Sequence, residues 1–244
     1  MSIIAVSKGV LLFLGSTFFV FGLTPPNPPP KEKSLIYKGQ LFEKTFKLLI
    51  CGGLASTLLA FCGNIVLLIN GPPQPYAHHS NIVSKICPHP SSPSSFHNLA
   101  QVSLPFLLGT IALLLGSGTR LCCFHTLGKL FTYEVSIQPE HKLITSGPYG
   151  IVRHPSYTGL VVMLAGAAIA CLSPGSYIQE CNLMATNAKW FIGLWLSAAA
   201  FITVSLGRRG EVEDLALEKS FGHVWREYSE RVSYRAFTYC NIVN

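Results

Sequence analysis

The sequence predicts an all-α, polytopic membrane protein with about five transmembrane helices. Only 12% of its 244 residues are charged and 49% are hydrophobic, whereas soluble domains carry about 25% charged residues. Five apolar runs alternate with polar segments, and the formal net charge is +7. These observations exclude an ordinary soluble domain and indicate a helical bundle in a lipid bilayer.

The apolar runs predict the spans in order. The first run, 3–23, contains Lys8, so a signal peptide with Lys8 in its positive n-region is an alternative. No small-x-small cleavage site follows it and a proline-rich segment does, which favours a retained span. The other spans are predicted at 48–69, at 99–118 with Pro105 inside the helix, at 160–172 with a 173–178 flank, and at 190–207.

The distribution of basic residues predicts the orientation. Lysine and arginine are concentrated in 24–47, in 119–157 and in the tail after Leu206, whereas loops 71–98 and 173–189 carry one lysine each. By the positive-inside rule the basic regions are cytosolic and the N-terminus is lumenal. Cys171 and Cys181 are then at or near the oxidising face, where a disulfide between them can form.

Two classes of ligand are not expected. No basic cluster with interleaved aromatic residues is present, so the chain is not expected to bind nucleic acid. The eight cysteines show no CxxC spacing, and the histidines of loop 71–98 match no ligand set. We therefore expect no metal site.

The most polar, glycine- and proline-rich stretch of the C-terminal half is 141–159, HKLITSGPYGIVRHPSYTG. Pro155 is suited to the first position of a helix, so the fourth span is expected to begin there. The free N–H groups of that helix end favour an anionic group such as a carboxylate. Tyr149 and Tyr157 are suited to packing on a flat ring. A cationic interfacial loop without a ligand is the alternative.

The tail, 207–244, is mixed in charge and has an apolar stripe at helical spacing between Leu217 and Val232. The stripe is suited to a segment that closes over the polar loop, and an amphipathic helix lying on the membrane is the alternative. Arg209 and Glu213 are four residues apart and therefore share a helix face. A surface ion pair is the alternative interpretation of that spacing.

Together these residues resemble the cofactor motif of the isoprenylcysteine carboxyl methyltransferases. The resemblance rests on HKLI at 141–144, GPY at 147–149 and RHPSY at 153–157, followed by Arg209, the Glu213-Asp214 pair and FGxxWxxYxxxV at 221–232. It covers 120–235, and the first hundred residues match only as apolar spans. Phospholipid N-methyltransferases of the same superfamily share parts of the motif.

The resemblance implies a pocket for S-adenosylmethionine, made by the C-terminal spans and the tail on the cytosolic side. Arg209 matches the arginine that engages the prenylcysteine substrate. Glu134 lies where family members have a glutamine near the cofactor. The other positions that match cofactor-binding residues are His141, Lys142, Leu143, Ile144, Tyr149, His154, Pro155, Ser156, Tyr157 and Glu213.

The function that the resemblance implies is methylation of the C-terminal prenylcysteine carboxylate of prenylated proteins, in the endoplasmic reticulum membrane. The spans in 1–118 are then expected to precede a methyltransferase core in 119–244. Three alternatives remain at this point: a phospholipid or small-lipid methyltransferase, a sterol-reductase-like oxidoreductase, and a non-catalytic membrane scaffold. The acidic pair 213–214 and the lack of a Cys-x-x-Lys-Tyr-Gly run count against the oxidoreductase.

Overall fold

The computed structural model describes residues 3–28, 41–70, 85–87, 89–92, 94–133, 142–236 and 239–240. For 41–50, 70 and 239–240 it describes the backbone alone. Two of the predicted site residues, Glu134 and His141, lie outside the described residues.

Five of the described helices are long and apolar enough to cross a membrane, which confirms the all-α, polytopic prediction. They are α1 (Ile3–Leu23), α2 (Leu41–Asn70), α4 (Leu104–Leu127), α5 (Pro155–Leu172) and α7 (Ala188–Phe221). The described residues also include shorter helices and a small antiparallel hairpin: α3 (Ser95–Ala100), α6 (Tyr177–Glu180), α8 (His223–Arg231), β1 (Tyr234–Ala236) and β2 (Tyr239–Cys240).

Helix α4 differs from the predicted third span at both ends. It begins at Leu104, so Pro105 lies in the first turn, where a missing N–H breaks no helical hydrogen bond. The Ser103 hydroxyl caps this turn by accepting a hydrogen bond from the Phe106 N–H at 3.4 Å. The helix then continues nine residues beyond the predicted end at 118, so the polar connection to α5 is shorter than expected.

Helix α7 also exceeds its prediction, because it continues from the apolar span through the charged segment to Phe221. Residues 207–221 add about four turns, or about 22 Å of helix. Gly222 then adopts a φ of 55° and ends the helix. Arg209 and Glu213 are therefore held on a rigid continuation of a membrane-spanning helix and not on a separate tail.

Helices α4 and α5 are antiparallel and packed at backbone contact. Gly109 and Gly116 of α4 face Gly159 and Gly166 of α5. A Cβ added at Gly116 would lie 2.6 Å from the carbonyl oxygen of Gly159, which is far inside van der Waals contact. Small residues allow this approach, which is how helices gain packing energy in a membrane. The pair forms the centre of the bundle, with α1 packed against α4.

A buried arginine joins three of these helices beneath the start of α5. Arg120, only 2% exposed, donates to the carbonyl oxygen of Gly22 at 2.6 Å and to the Ser156 hydroxyl at 3.0 Å. It also donates to the Tyr133 hydroxyl at 2.8 Å. The charge pattern predicted Arg120 in the polar loop 119–157, and this prediction was wrong. The cation is buried in α4 because neutral oxygens satisfy its donors.

The opposite end of the bundle is closed by a disulfide between Cys87 and Cys181. Cys171 is a buried free cysteine, so the pairing of Cys171 with Cys181, which the sequence left open, is not the one that forms. The bridge joins loops 71–98 and 173–189, the two loops that the charge pattern placed on one side of the membrane. Lys8 is buried at this same end and donates to the carbonyl of Gly175 at 2.7 Å.

Replacing Cys87 with serine is expected to lower the free energy of unfolding by about 2–4 kcal/mol, because the bridge closes a long loop in the unfolded chain. The loop separation is 94 residues. After denaturation without reductant, the variant should show one more maleimide-reactive thiol than the unsubstituted chain, namely Cys181. Cys122→Ser, at an exposed free cysteine, is the control and should show one fewer. One reactive thiol fewer in the Cys87 variant, as in the control, would exclude the bridge.

Candidate functional site

The polar stretch at 142–154 is held by the C-terminal segment through backbone hydrogen bonds. The Arg153 N–H donates to the carbonyl of Tyr234 at 2.9 Å, and the His154 N–H donates to that of Arg235 at 2.7 Å. Helix α5 then begins at Pro155, as the sequence predicted. Residues about 80 positions apart in the chain therefore fix the direction in which His154 enters α5.

Asp214 is the buried hub of an ion-pair network that orients His154. Its Oδ1 lies 2.9 Å from His154 Nε2, and its Oδ2 lies 2.8 Å from Arg235 Nε and 3.5 Å from an Arg153 nitrogen. Burial lowers the pKa of Arg153, and the Asp214 carboxylate opposes that shift. Asp214 and two arginines thus form a positioning shell that was absent from the predicted site residues.

Tyr157 joins the two residues of α7 that the sequence predicted to share a face. Its hydroxyl accepts a hydrogen bond from Arg209 Nε at 2.9 Å and donates to Glu213 Oε2 at 2.5 Å. Arg209 also donates to the carbonyl of Tyr133. The shared face of Arg209 and Glu213 is therefore confirmed, with the Tyr157 hydroxyl lying between the two side chains.

His154 completes this cluster by lying between the two carboxylates. Its ring stacks on that of Tyr157, with centroids 5.1 Å apart and an interplanar angle of 13°. Its Nδ1 is 3.7 Å from Glu213, while its Nε2 faces Asp214. The structure thus brings together four predicted residues, and we call them the polar cluster: His154, Tyr157, Arg209 and Glu213.

Tyr149 lies within electrostatic range of the polar cluster and is fixed by α8. Burial raises its pKa, and the neighbouring Cys123 and Glu213 raise it further. The Tyr228 hydroxyl donates to the Tyr149 carbonyl at 2.7 Å. Burial raises the pKa of Tyr228 to about 12, so this donor keeps its proton at neutral pH.

The apolar stripe of the tail packs inside the protein instead of forming one continuous helix. Gly222 divides it between α7 and α8, and Val224 is 47% exposed. Trp225, Tyr228 and Val232 form a buried cluster, and Leu217 and Phe221 pack against it. Leu143, from the predicted cofactor stretch, packs against the same cluster. The tail is therefore joined to the loop 142–154 and closes over it.

The remaining predicted residues have varied environments. Lys142 is exposed and Ile144 is half-buried. Pro155 and Ser156 are buried in the first turn of α5, and the Ser156 hydroxyl accepts a hydrogen bond from Arg120. That contact engages the Ser156 side chain within the protein.

A cavity of about 300 Å³ opens beside the polar cluster, between α5, α7 and β1. His154 and Tyr157 form part of its wall, and we call it the α5–α7 cavity. One region of the wall is apolar, where Val161, Val204 and Leu206 contribute. The charged side chains in the wall are Arg208, Glu211 and Arg235. A ligand in this cavity would meet both hydrocarbon and charge.

The residues present fit S-adenosylmethionine, the cofactor that the resemblance implies. Glu213 is a half-buried carboxylate with an aromatic neighbour, which suits a cationic ligand. Tyr149 and Tyr157 place aromatic rings near it. A group of three or more histidine, cysteine or acidic side chains able to hold a metal is not found among the described residues.

Comparison with known proteins identifies a family that matches part of the chain. Residues 107–207 match the model of the isoprenylcysteine carboxyl methyltransferase (ICMT) family. The chain is 27% identical over 139 residues to a "Probable protein-S-isoprenylcysteine O-methyltransferase" of Oryza sativa subsp. indica, covering 56% of this chain and 63% of the relative. It is 32% identical over 129 residues to "Protein-S-isoprenylcysteine O-methyltransferase B" of Arabidopsis thaliana, covering 51% and 55%.

A shorter and more similar match is to the "Protein-S-isoprenylcysteine O-methyltransferase" of Saccharomyces cerevisiae, 35% identical over 74 residues, covering 30% of this chain and 31% of that protein. The chain thus spans less than two thirds of the length of each of these relatives. Most of the matched family region lies in α4, α5 and α7. It includes His154 and Tyr157 of the polar cluster and ends two residues before Arg209.

Proposed function

We propose that this chain, a member of the isoprenylcysteine carboxyl methyltransferase family, methylates the C-terminal prenylcysteine carboxylate of prenylated proteins. The observation that carries the proposal is the polar cluster beside a cavity with an apolar wall. A prenylcysteine has a long hydrocarbon tail and a carboxylate at one end. The hydrocarbon tail would lie against the apolar wall, and the carboxylate would lie beside the polar cluster.

The methyl donor in this proposal is S-adenosylmethionine, held by Glu213, His154, Tyr157 and Tyr149. It supplies a methyl group on a sulfonium, which a carboxylate oxygen accepts by in-line displacement as the C–S bond breaks. Glu213 would favour the cationic cofactor, and the aromatic rings would contact its flat adenine. The other cofactor-binding positions are proposed by resemblance: Glu134, His141, Lys142, Leu143, Ile144, Pro155 and Ser156.

The acceptor needs no general base, because a carboxylate is already ionised at neutral pH. Alignment of the two reacting atoms is therefore what the protein has to provide. Arg209 would orient the acceptor carboxylate through charge-assisted hydrogen bonds. Its contacts with the Tyr157 hydroxyl and the Tyr133 carbonyl hold the guanidinium in place. Orientation without full neutralisation keeps the carboxylate nucleophilic.

The proposed location is the endoplasmic reticulum membrane, with the polar cluster on the cytosolic side. The described arginines Arg120, Arg153 and Arg235 are at the polar-cluster end of the bundle, and the positive-inside rule would make that end cytosolic. The Cys87–Cys181 bridge is at the other end, and a lumenal environment would maintain it. The prenyl tail dissolves in the bilayer, so the acceptor would enter the site sideways from the membrane.

A labelled-methyl assay tests the proposal directly. Membranes containing the chain, incubated with radiolabelled S-adenosylmethionine and N-acetyl-S-farnesylcysteine, are expected to form a base-labile methyl ester. Membranes lacking the chain provide the control. Labelled phosphatidylethanolamine derivatives without the ester would contradict the proposal and identify a lipid methyltransferase. Binding of neither cofactor nor acceptor would indicate a scaffold.

Substitutions in the polar cluster should affect acceptor binding and cofactor binding separately. Replacing Arg209 with alanine is expected to raise KM for the acceptor by roughly 10- to 100-fold, because a charge-assisted hydrogen bond contributes about 1.5–3 kcal/mol. Cofactor affinity, measured by calorimetry, should remain. Glu213→Ala and His154→Ala should instead weaken cofactor binding. Lys219→Gln, at an exposed position of α7, is the control. Normal methylation by all three folded variants would show that these roles are wrong.

A further inference from the structure

Two consecutive arginines of α7 have different surroundings. Successive residues of an α-helix are about 100° apart around its axis. Arg209 is directed to Tyr157 and Tyr133, which engage its guanidinium. Arg208 instead lies in the wall of the α5–α7 cavity, with Val204 and Glu211 on the same side of the helix.

The other charged groups of this wall are already paired within the protein. Arg235 contacts Asp214 at 2.8 Å and Glu211 at 3.1 Å, and His154 contacts Asp214 at 2.9 Å. Within the described part of the chain, Arg208 makes no hydrogen bond or ion pair. The cavity wall therefore has one positive charge that is available to a ligand.

The position of this charge relative to the apolar wall defines the ligand. Val204 is one helical turn before Arg208, and Val161 faces the same cavity from α5. A hydrocarbon chain against the valines and an anionic end at Arg208 would fill the cavity. A carboxylate on a lipid tail has this chemistry, and it forms strong hydrogen bonds with a guanidinium.

We infer that Arg208 contacts the acceptor carboxylate and distinguishes the acid from its methyl ester. This inference rests on the proposed function. Methylation converts the anionic carboxylate into a neutral ester, and no proton is taken up or released. The attraction to Arg208 is lost in that step, so the product is held more weakly than the substrate. Arg209 then orients the acid for reaction, and Arg208 provides selectivity and favours product release.

The test compares acid and ester in the purified, detergent-solubilised protein. In Arg208→Gln, KM for N-acetyl-S-farnesylcysteine is expected to rise roughly 10- to 100-fold, with kcat little changed. The inhibition constant of the corresponding methyl ester should stay the same, so the acid-to-ester preference collapses. Arg208→Lys should restore part of it. Lys219→Gln, which removes one exposed positive charge from the same helix, should have no effect.

Three outcomes would overturn the inference. They are an unchanged KM for the acid, an equal loss of affinity for acid and ester, and a lower thermal midpoint in Arg208→Gln that accounts for the change. Failure of the proposed function itself is recognised separately, because the unsubstituted chain would then form no methyl ester from the acid.

Discussion

Replacing Gly116 with alanine is expected to disrupt the bundle more than any other single-methyl addition in α4. The new Cβ would lie 2.6 Å from the carbonyl oxygen of Gly159 and also against the backbone of Met163. Backbone atoms cannot rotate away as a side chain can, so α4 and α5 would have to separate. Overpacking lowers the stability of a protein by about 1–3 kcal/mol where side chains can move aside. The loss at Gly116 is expected to reach or exceed the upper value.

The measurement is the thermal midpoint of the detergent-solubilised protein, together with its elution as a single species in size-exclusion chromatography. Gly118→Ala is the matched control, two residues away on the same helix. A Cβ at Gly118 would meet nothing within 4 Å, and alanine is the better helix former. A Gly116 variant as stable as the Gly118 variant would show that the helices are not in backbone contact.

Replacing Asp214 with asparagine is expected to cost about 3–5 kcal/mol, because it leaves buried cations without their counter-charge. The side chain of Arg153 is 3% exposed and that of Arg235 is 27% exposed, and both contact Asp214. His154 would lose the carboxylate that orients its ring. Cofactor binding should fall with stability, even though Asp214 is a positioning residue.

Glu211→Gln provides the control, because Glu211 contacts the same Arg235 but is 59% exposed in its side chain. An exposed pair contributes only about 0–1 kcal/mol. The Asp214→Asn variant should therefore have a clearly lower thermal midpoint and weaker cofactor binding than the Glu211→Gln variant. Equal, small effects would mean that the Asp214 network is not a buried determinant of the site.

The sequence predicted the spans because their information is local. A long apolar run specifies a membrane helix by itself. Helices α1 and α5 follow the predicted runs closely, and α2 contains its predicted run but begins seven residues earlier. The predicted C-terminal ends of α4 and α7 were wrong, because the first charged residues were taken to mark the end of each helix. Arg120 is instead buried through contacts with Gly22 and Tyr133, residues that no nearby pattern associates with it.

The sequence also predicted only part of the site, because a local motif does not specify contacts with distant residues. The motif identified His154, Tyr157, Arg209 and Glu213, which come together as expected. Arg235 gave no signal, because its role depends on the hairpin that pairs with the loop before α5. The sequence did contain a signal for Arg120, since a charge inside a long apolar run indicates an internal partner.

The pairing of residues 153–154 with 234–235 also has a consequence for biosynthesis. The first pair leaves the ribosome about 80 residues before the second, which at 5–20 residues per second is roughly 4–16 s. During that interval the N–H groups of Arg153 and His154 have no backbone partner and need water. The nascent loop must therefore wait in an aqueous compartment until residues 234 and 235 have been synthesised.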